Sequence, residues 1–236
     1  FGGKLVAEMG QMSVPIEDRE YPLEKVNTMY VRELTEEDFR IKAPVENGTV
    51  TVHVMEYPDI HLSSTELTTA QLPVKDWYVC LEGEDLKFVA VVNRHKGHDT
   101  IGLGIVKGFG TTCGALASTV SHDSHNLTVV YDSAANALAA AKALIQCGGG
   151  MSAVKDGRLL HVLELPLAGL ISLKDAAELA KDSQAMKEAN RELGLTGLEN
   201  PLLRIVTLAL PVIPKVKMSD LGIVDVLKKE LIPLFA

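Results

Sequence analysis

The stretch MSAVKDGRLLHVLEL (residues 151–165) decides the fold class. Two runs rich in Val and Leu flank Asp156-Gly157, a dipeptide that readily takes the positive backbone angles of a two-residue hairpin turn. Residues 151–155 and 158–165 are therefore expected as antiparallel strands, with His161 as a packed or half-exposed strand residue. Strands joined by tight turns, rather than by helical crossovers, place the chain in the α+β class.

Working outward, Asp132-Ser133 caps a helix expected over 134–146, with Leu138, Ala141 and Ile145 as its apolar face. Gly148-Gly149-Gly150 comes after that helix and before a strand, so it reads as a helix C-cap and not as a phosphate loop, which sits at a helix N-terminus. On the other side, Ser172-x-x-Asp175 opens the longest helix, which runs to about Leu193 and stops at Gly194. Residues 203–213 (LRIVTLALPVI) form a continuous apolar run, expected as the last buried strand and closed by Pro211 and Pro214. The tail, 222–236, reads as one marginal helical turn ending in Leu234-Phe235. Toward the N-terminus, residues 49–56 alternate strictly, with Val50, Val52 and Val54 on one face and Thr51, His53 and Met55 on the other. Residues 86–93 (LKFVAVVN) carry the continuous apolar run FVAVV, as in a strand buried on both faces. Residues 101–106 form a further strand whose two glycines imply close backbone approach. Thr35-Glu36-Glu37-Asp38 resembles a capping box for one short helical turn. Residues 13–30 read as a linker, and 1–12 as a short hairpin turning at Gly10-Gln11. The expectation is a mixed or antiparallel β-sheet domain over 31–236 with at least six strands and two main helices.

A chain of 236 residues with 47% apolar and 23% charged residues can bury a sizeable core. Its net charge of −8 and 5% aromatics offer neither a basic face nor stacking platforms, which excludes nucleic acid and anionic membrane as expected partners. No apolar run approaches the roughly 20 residues of a membrane span. Cys80, Cys113 and Cys147 are far apart and odd in number, which fits reduced thiols in a cytoplasmic protein. The chain opens Phe1-Gly2-Gly3-Lys4-Leu5 without an initiator Met and reads like the middle of a β-structure. A start well upstream is expected.

Candidate chemistry lies in KGFGTTCGALASTVSHDSHNLTVVY (residues 107–131). Three glycines and a small-residue run lead into Ser121-His122-Asp123-Ser124-His125-Asn126, six consecutive polar side chains before an apolar β-branched strand. Such a cluster is either a solvated turn or a site. His122-x-x-His125 could ligate a metal, but a complete centre needs further ligands that the sequence does not supply nearby. Ser118, Ser121 and Ser124 lie near imidazoles without a nucleophile elbow around them. Arg94-His95, in the charged loop after 86–93, forms a second His-bearing cluster.

Lys107-Gly108-Phe109-Gly110, Gly114-Ala115-Leu116-Ala117-Ser118 and His122-Asp123-Ser124-His125-Asn126 together resemble the C-terminal region of bacterial and archaeal adenine deaminases of the amidohydrolase superfamily. The likeness continues through Gly148-Gly149-Gly150, Leu165-Pro166-Leu167-Ala168-Gly169-Leu170 and Leu208-Ala209-Leu210-Pro211-Val212-Ile213-Pro214, and covers nearly the whole chain from Val31. Gly3 to Glu8 also resembles the closing strands of the small β-sandwich that flanks such barrels. Thr111-Thr112-Cys113 departs from the family pattern. The resemblance implies conversion of adenine and water to hypoxanthine and ammonia by a metal-activated hydroxide. The divalent metal, Mn or Fe and binuclear, would be held by a barrel upstream of Phe1, with no metal ligand in this chain. It further implies adenine as substrate, the barrel portion of the same enzyme as partner, and a homo-oligomer. On this reading His122, Asp123, His125 and Asn126 are accessory to catalysis, and Arg94, His95, Ser121 and Ser124 contact substrate, as the loop folds over the barrel mouth. The alternatives are a non-catalytic interaction module that stabilises the barrel or its oligomer, and an autonomous metal-dependent hydrolase.

Overall fold

The computed structural model describes every residue except Ile16, Asp18, Arg19 and Glu84, the first three of which fall in the expected linker. In chain order the elements are β1 (Ala7–Glu8), β2 (Gln11–Met12), α1 (Leu23–Val26), a 3-10 turn (Glu36–Phe39), β3 (Gly48–Glu56), β4 (Glu66–Lys75), β5 (Tyr78–Val79), β6 (Leu86–Val92), β7 (Ile101–Lys107), β8 (Ala115–Ser118), β9 (Leu127–Tyr131), α2 (Ala134–Cys147), β10 (Gly150–Lys155), β11 (Arg158–Glu164), α3 (Ala176–Glu192), α4 (Leu202–Val206), β12 (Val216–Ser219), β13 (Gly222–Asp225) and β14 (Glu230–Ile232). The expected α+β class is borne out.

Nine strands make one sheet in the order β11-β10-β8-β9-β6-β7-β3-β4-β5. Its neighbours pair antiparallel, except that β3 meets β7 in parallel over Met55–Val106 and Glu56–Lys107 alone. Beyond that short contact the two strands part. The gap beside β3 is filled by the C-terminal residues: His53 N–H donates to Leu234 O at 2.8 Å and Ala236 N–H to Thr51 O at 3.1 Å.

Period-two alternation explains the two cores. Val52, Val54, Ala90, Val92 and Val129 face one side, in a core that also takes in Ala137, Ala140, Ala141 and Leu144 of α2. Met55, Val89, Val91 and Val130 face the other, under Met186 and Ala189 of α3, Ile205 of α4, and Met218 and Ile223 of the small sheet β12-β13-β14. Because β6 is buried on both sides, its sequence shows no polar alternation. The glycines of β7 work as expected. A Cβ on Gly102 would overlap the Ser219 carbonyl oxygen, and one on Gly104 would lie 2.8 Å from Met218 Sδ, so the small sheet sits directly on the strand backbone.

Caps and turns follow the residues that call for them. The Ser133 side chain accepts from Asn136 N–H at the start of α2, and Gly148 ends the helix in the left-handed region at φ 85°. Asp156 and Gly157, at φ 51° and 72°, close the hairpin between β10 and β11. Thr35 and Asp38 form the reciprocal capping box.

Several expectations are corrected. Residues 203–213 are not a strand: Pro201 starts the short helix α4, and turns follow. An apolar run cannot by itself tell a buried strand from a buried helix, and proline is pre-organised for a helix start. The buried stripe of α2 centres on Ala137, Ala141 and Leu144, with Leu138 and Ile145 only partly buried at its edge. These alanines let the helix approach closely enough for Ser152 Oγ of β10 to donate to Ala140 O at 2.9 Å. The cap of α3 is Asp175 and not Ser172, whose hydroxyl accepts from Lys174 N–H instead. The tail carries β13 and β14 in place of a helical turn. The first hairpin turns at Met9-Gly10, one residue earlier than expected.

Candidate functional site

Pairing of β6 with β9 puts Val92 opposite Leu127, and pairing of β8 with β9 puts Ser118 opposite Thr128. The segment 93–100 after β6 and the loop 119–126 between β8 and β9 therefore emerge side by side at one end of the sheet. This register brings together the two His-bearing clusters, which lie far apart in sequence.

The loop is tightly organised. His125 N–H donates to Ser121 O at 2.7 Å, and Ser121 N–H donates back to His125 Nδ1 at 3.3 Å. The Ser121 and Thr128 hydroxyls pair at 2.7 Å in a buried position. His122 N–H is held by Val206 O of α4 at 3.1 Å. His125 has a left-handed backbone at φ 53°. Three side chains at the tip, His122, Asp123 and Ser124, are exposed, His125 is half-buried, and Ser121 and Asn126 are buried. The Asn126 Oδ1 atom is buried without a hydrogen-bond partner.

Rings and charges narrow the chemistry. The His122 and His125 rings meet edge to face with centroids 5.1 Å apart. Burial, then the neighbouring His122 and Arg94, push the His125 imidazolium below the ordinary histidine range, with Asp123 opposing. Accepting at Nδ1 requires the neutral ring with its proton on Nε2, so the two effects agree. His95 Nε2 lies 2.6 Å from Ser124 O, where it serves as donor. The exposed groups can accept and donate hydrogen bonds to a polar ligand, and neutral His125 can donate from Nε2.

Arg94 was expected among the substrate contacts, yet only 1% of it is exposed. Its Nε donates to His125 O, Nη1 to the Thr28 carbonyl and hydroxyl, and Nη2 to Ala168 O. Burial without a carboxylate partner lowers its pKa to about 10. Gly169, at φ 72°, turns its backbone toward the guanidinium, where a Cβ would lie 3.1 Å away. Nearby, Ala168 N–H donates to Val26 O and Tyr30 N–H to Arg94 O. Residues 26–30 thus run directly beside the histidine loop.

A second buried cationic centre was not anticipated. Arg204, 5% exposed, donates to Phe109 O, Leu62 O and Gly108 O at 2.7 to 3.0 Å and stacks 3.6 Å from the centroid of the Tyr57 ring. Lys217 is fully buried, donates to Ser63 O and also lies over Tyr57. The Tyr57 hydroxyl is buried and unpaired. Only the partner segments, scattered along the chain, reveal that these cations are internal.

Among the described residues, no three His, Cys, Asp or Glu side chains converge as a metal-ligand set.

Comparison with known proteins then bears on identity. The sequence model for the adenine deaminase C-terminal domain matches residues 63–230. An adenine deaminase of Moorella thermoacetica is 41% identical over 234 residues, which is 98% of this chain and 39% of that protein. Adenine deaminases of Clostridium botulinum and Geobacillus kaustophilus are 36% and 38% identical over 99% of the chain, again 39% and 40% of those proteins. The chain spans about two fifths of the length of these relatives. On these matches, and in keeping with the motifs that pointed there, the chain belongs to the adenine deaminase C-terminal domain family.

Proposed function

We propose that this chain is the C-terminal part of an enzyme that hydrolyses adenine to hypoxanthine and ammonia, and that its loop 121–126 covers the reaction centre. The matched relatives, named for adenine deamination and about two and a half times as long, support the activity. One observation carries the role of the loop: His122, Asp123 and Ser124 are exposed at the tip of a rigid hairpin connection, directly beside segment 26–30. Polypeptide preceding residue 26 would approach the domain at this place. Exposed imidazole and carboxylate groups on a loop tied down at Ser121 and at the His122 amide are pre-organised to meet a polar ligand, at lower entropic cost than a free loop.

In this reading a divalent metal would be held by the upstream portion, where it would supply an activated water. Residues of this chain exclude bulk water and offer hydrogen bonds to purine or departing ammonia. His125, neutral with Nε2 as donor, and exposed Asp123 and His122 are the contacting groups; Ser121, His95 and Arg94 hold them in place. A homo-oligomer and a cytoplasmic setting belong to the same proposal. The exposed β1-β2 hairpin supports a neighbouring polypeptide, because a two-stranded hairpin with Phe1, Leu5, Met9 and Met12 exposed is marginal by itself in water.

Substituting His122→Asn and His125→Asn in the full-length enzyme tests this. The expected outcome is a fall in kcat/KM of roughly tenfold or more with metal content unchanged. Unchanged kcat/KM in both variants would favour the interaction-module reading.

A further inference from the structure

We propose that Arg94 is a positioning residue that couples the incoming segment 26–30 to loop 121–126, so that the pose of the histidine loop depends on how the preceding polypeptide is seated. The inference rests on the functional reading above for its catalytic consequence, but not for the coupling itself.

One guanidinium spans three segments that touch nowhere near each other in sequence. Its Nη1 binds Thr28, its Nε binds His125 O, and its Nη2 binds Ala168 O. The backbone of Arg94 closes the circuit by accepting from Tyr30 N–H, while Ala168 N–H donates to Val26 O. The planar fork of arginine can hold three acceptors in fixed directions at once; a lysine ammonium on its flexible stem cannot. The turn 166–170 backs the guanidinium through Gly169, itself fixed by Thr119 Oγ donating to Gly169 O at 2.6 Å. With the side chain 1% exposed and each of its three nitrogens on a protein acceptor, no surface of Arg94 is left for a ligand. Moving segment 26–30 would pull on the atom group that holds His125, the residue whose ring also orders Ser121.

The test is hydrogen exchange on the full-length enzyme, read at the hydrogen-bonded amides of Tyr30, His122 and His125. Thr28→Val removes one acceptor from the incoming segment and touches nothing in the loop. The proposal expects it to speed exchange at His125 several-fold as well as at Tyr30. Arg94→Lys should speed exchange in both segments roughly tenfold, the loss of about one charged hydrogen bond, and lower kcat more than it raises KM. Gly169→Ala, which presses on the guanidinium without removing a donor, should act in the same direction and serves if Arg94→Lys does not fold. A Thr28→Val effect confined to segment 26–30 overturns the coupling whatever the activity does. If His122→Asn lowers kcat/KM while Arg94→Lys leaves it unchanged, the positioning role is overturned and the functional reading stands. If exchange is coupled but neither loop histidine affects kcat/KM, the coupling is upheld and the functional reading falls.

Discussion

The molecule contains two buried arginines that solve the same problem in different surroundings. Among the described residues neither Arg94 nor Arg204 has a carboxylate partner; both donate chiefly to backbone carbonyls, and burial lowers the pKa of each. Arg204 stacks on Tyr57 between the carbonyls of Leu62, Gly108 and Phe109, inside the second core. Arg94 lies under a loop whose tip faces solvent, and one of its partners is in the incoming segment. A guanidinium whose acceptors all belong to packed core segments locks structure; the same device with acceptors in a loop and an incoming segment can transmit the position of one to the other. The difference lies in what is attached to the carbonyls, not in the arginine.

The comparison can be broken by substitution. Arg204→Ala leaves three carbonyls unpaired beside a cavity, and should cost roughly 4 kcal/mol in urea unfolding. A loss no greater than that of Arg94→Ala would remove the distinction between the two.

Lys217 sharpens the same contrast through pH. Burial, aided by Arg204, depresses its ammonium from 10.5 to about 8. Below pH 8 the folded and unfolded chains both hold the proton, and the penalty is full. Between about 8 and 10.5 the unfolded chain binds more protons, so stability should rise with pH through this window. The gain is roughly 3 kcal/mol, and Lys217→Met should abolish the rise. A wild-type curve flat across the window would show that the ammonium is better solvated than its surroundings imply.

The smallest expected effect is at Tyr57. Its hydroxyl is buried with no partner, and its pKa is pushed up to about 12 by burial. Tyr57→Phe should stabilise by about 1 kcal/mol by removing an unsatisfied group while keeping the ring under Arg204. Destabilisation on thermal melting would mean that the hydroxyl has a partner after all.

Much of the fold was legible because strong local signals agreed with tertiary structure. The Asp156-Gly157 hairpin, the apolar run FVAVV of β6 and the Ser133 and Gly148 caps were all read from residue type alone. β4 was not, since its exposed Thr residues and Pro73 dilute the strand pattern, and Pro is ordinarily confined to sheet edges. β8 was hidden in a run of small residues whose burial depends on neighbours far along the chain. The polar cluster 121–126 was visible as composition, and its family resemblance proved specific. The function of Arg94 within the fold was not visible, because all but one of its acceptors, the Thr28 hydroxyl, are backbone carbonyls at residues 28, 125 and 168, which any residue type could supply.

The parting of β3 from β7 bears on assembly of the chain during synthesis. The unpaired stretch of β3 is completed by residues 234–236, and the contact of His53 with Pro233 spans 180 positions. Translation at roughly 5 to 20 residues per second leaves His53 waiting on the order of ten seconds or longer for its partner. During that interval the middle of the sheet has an open seam, with backbone donors available to any strand that passes. Nascent chains halted short of Leu234 should therefore be the ones that chaperones hold and that pair wrongly with each other.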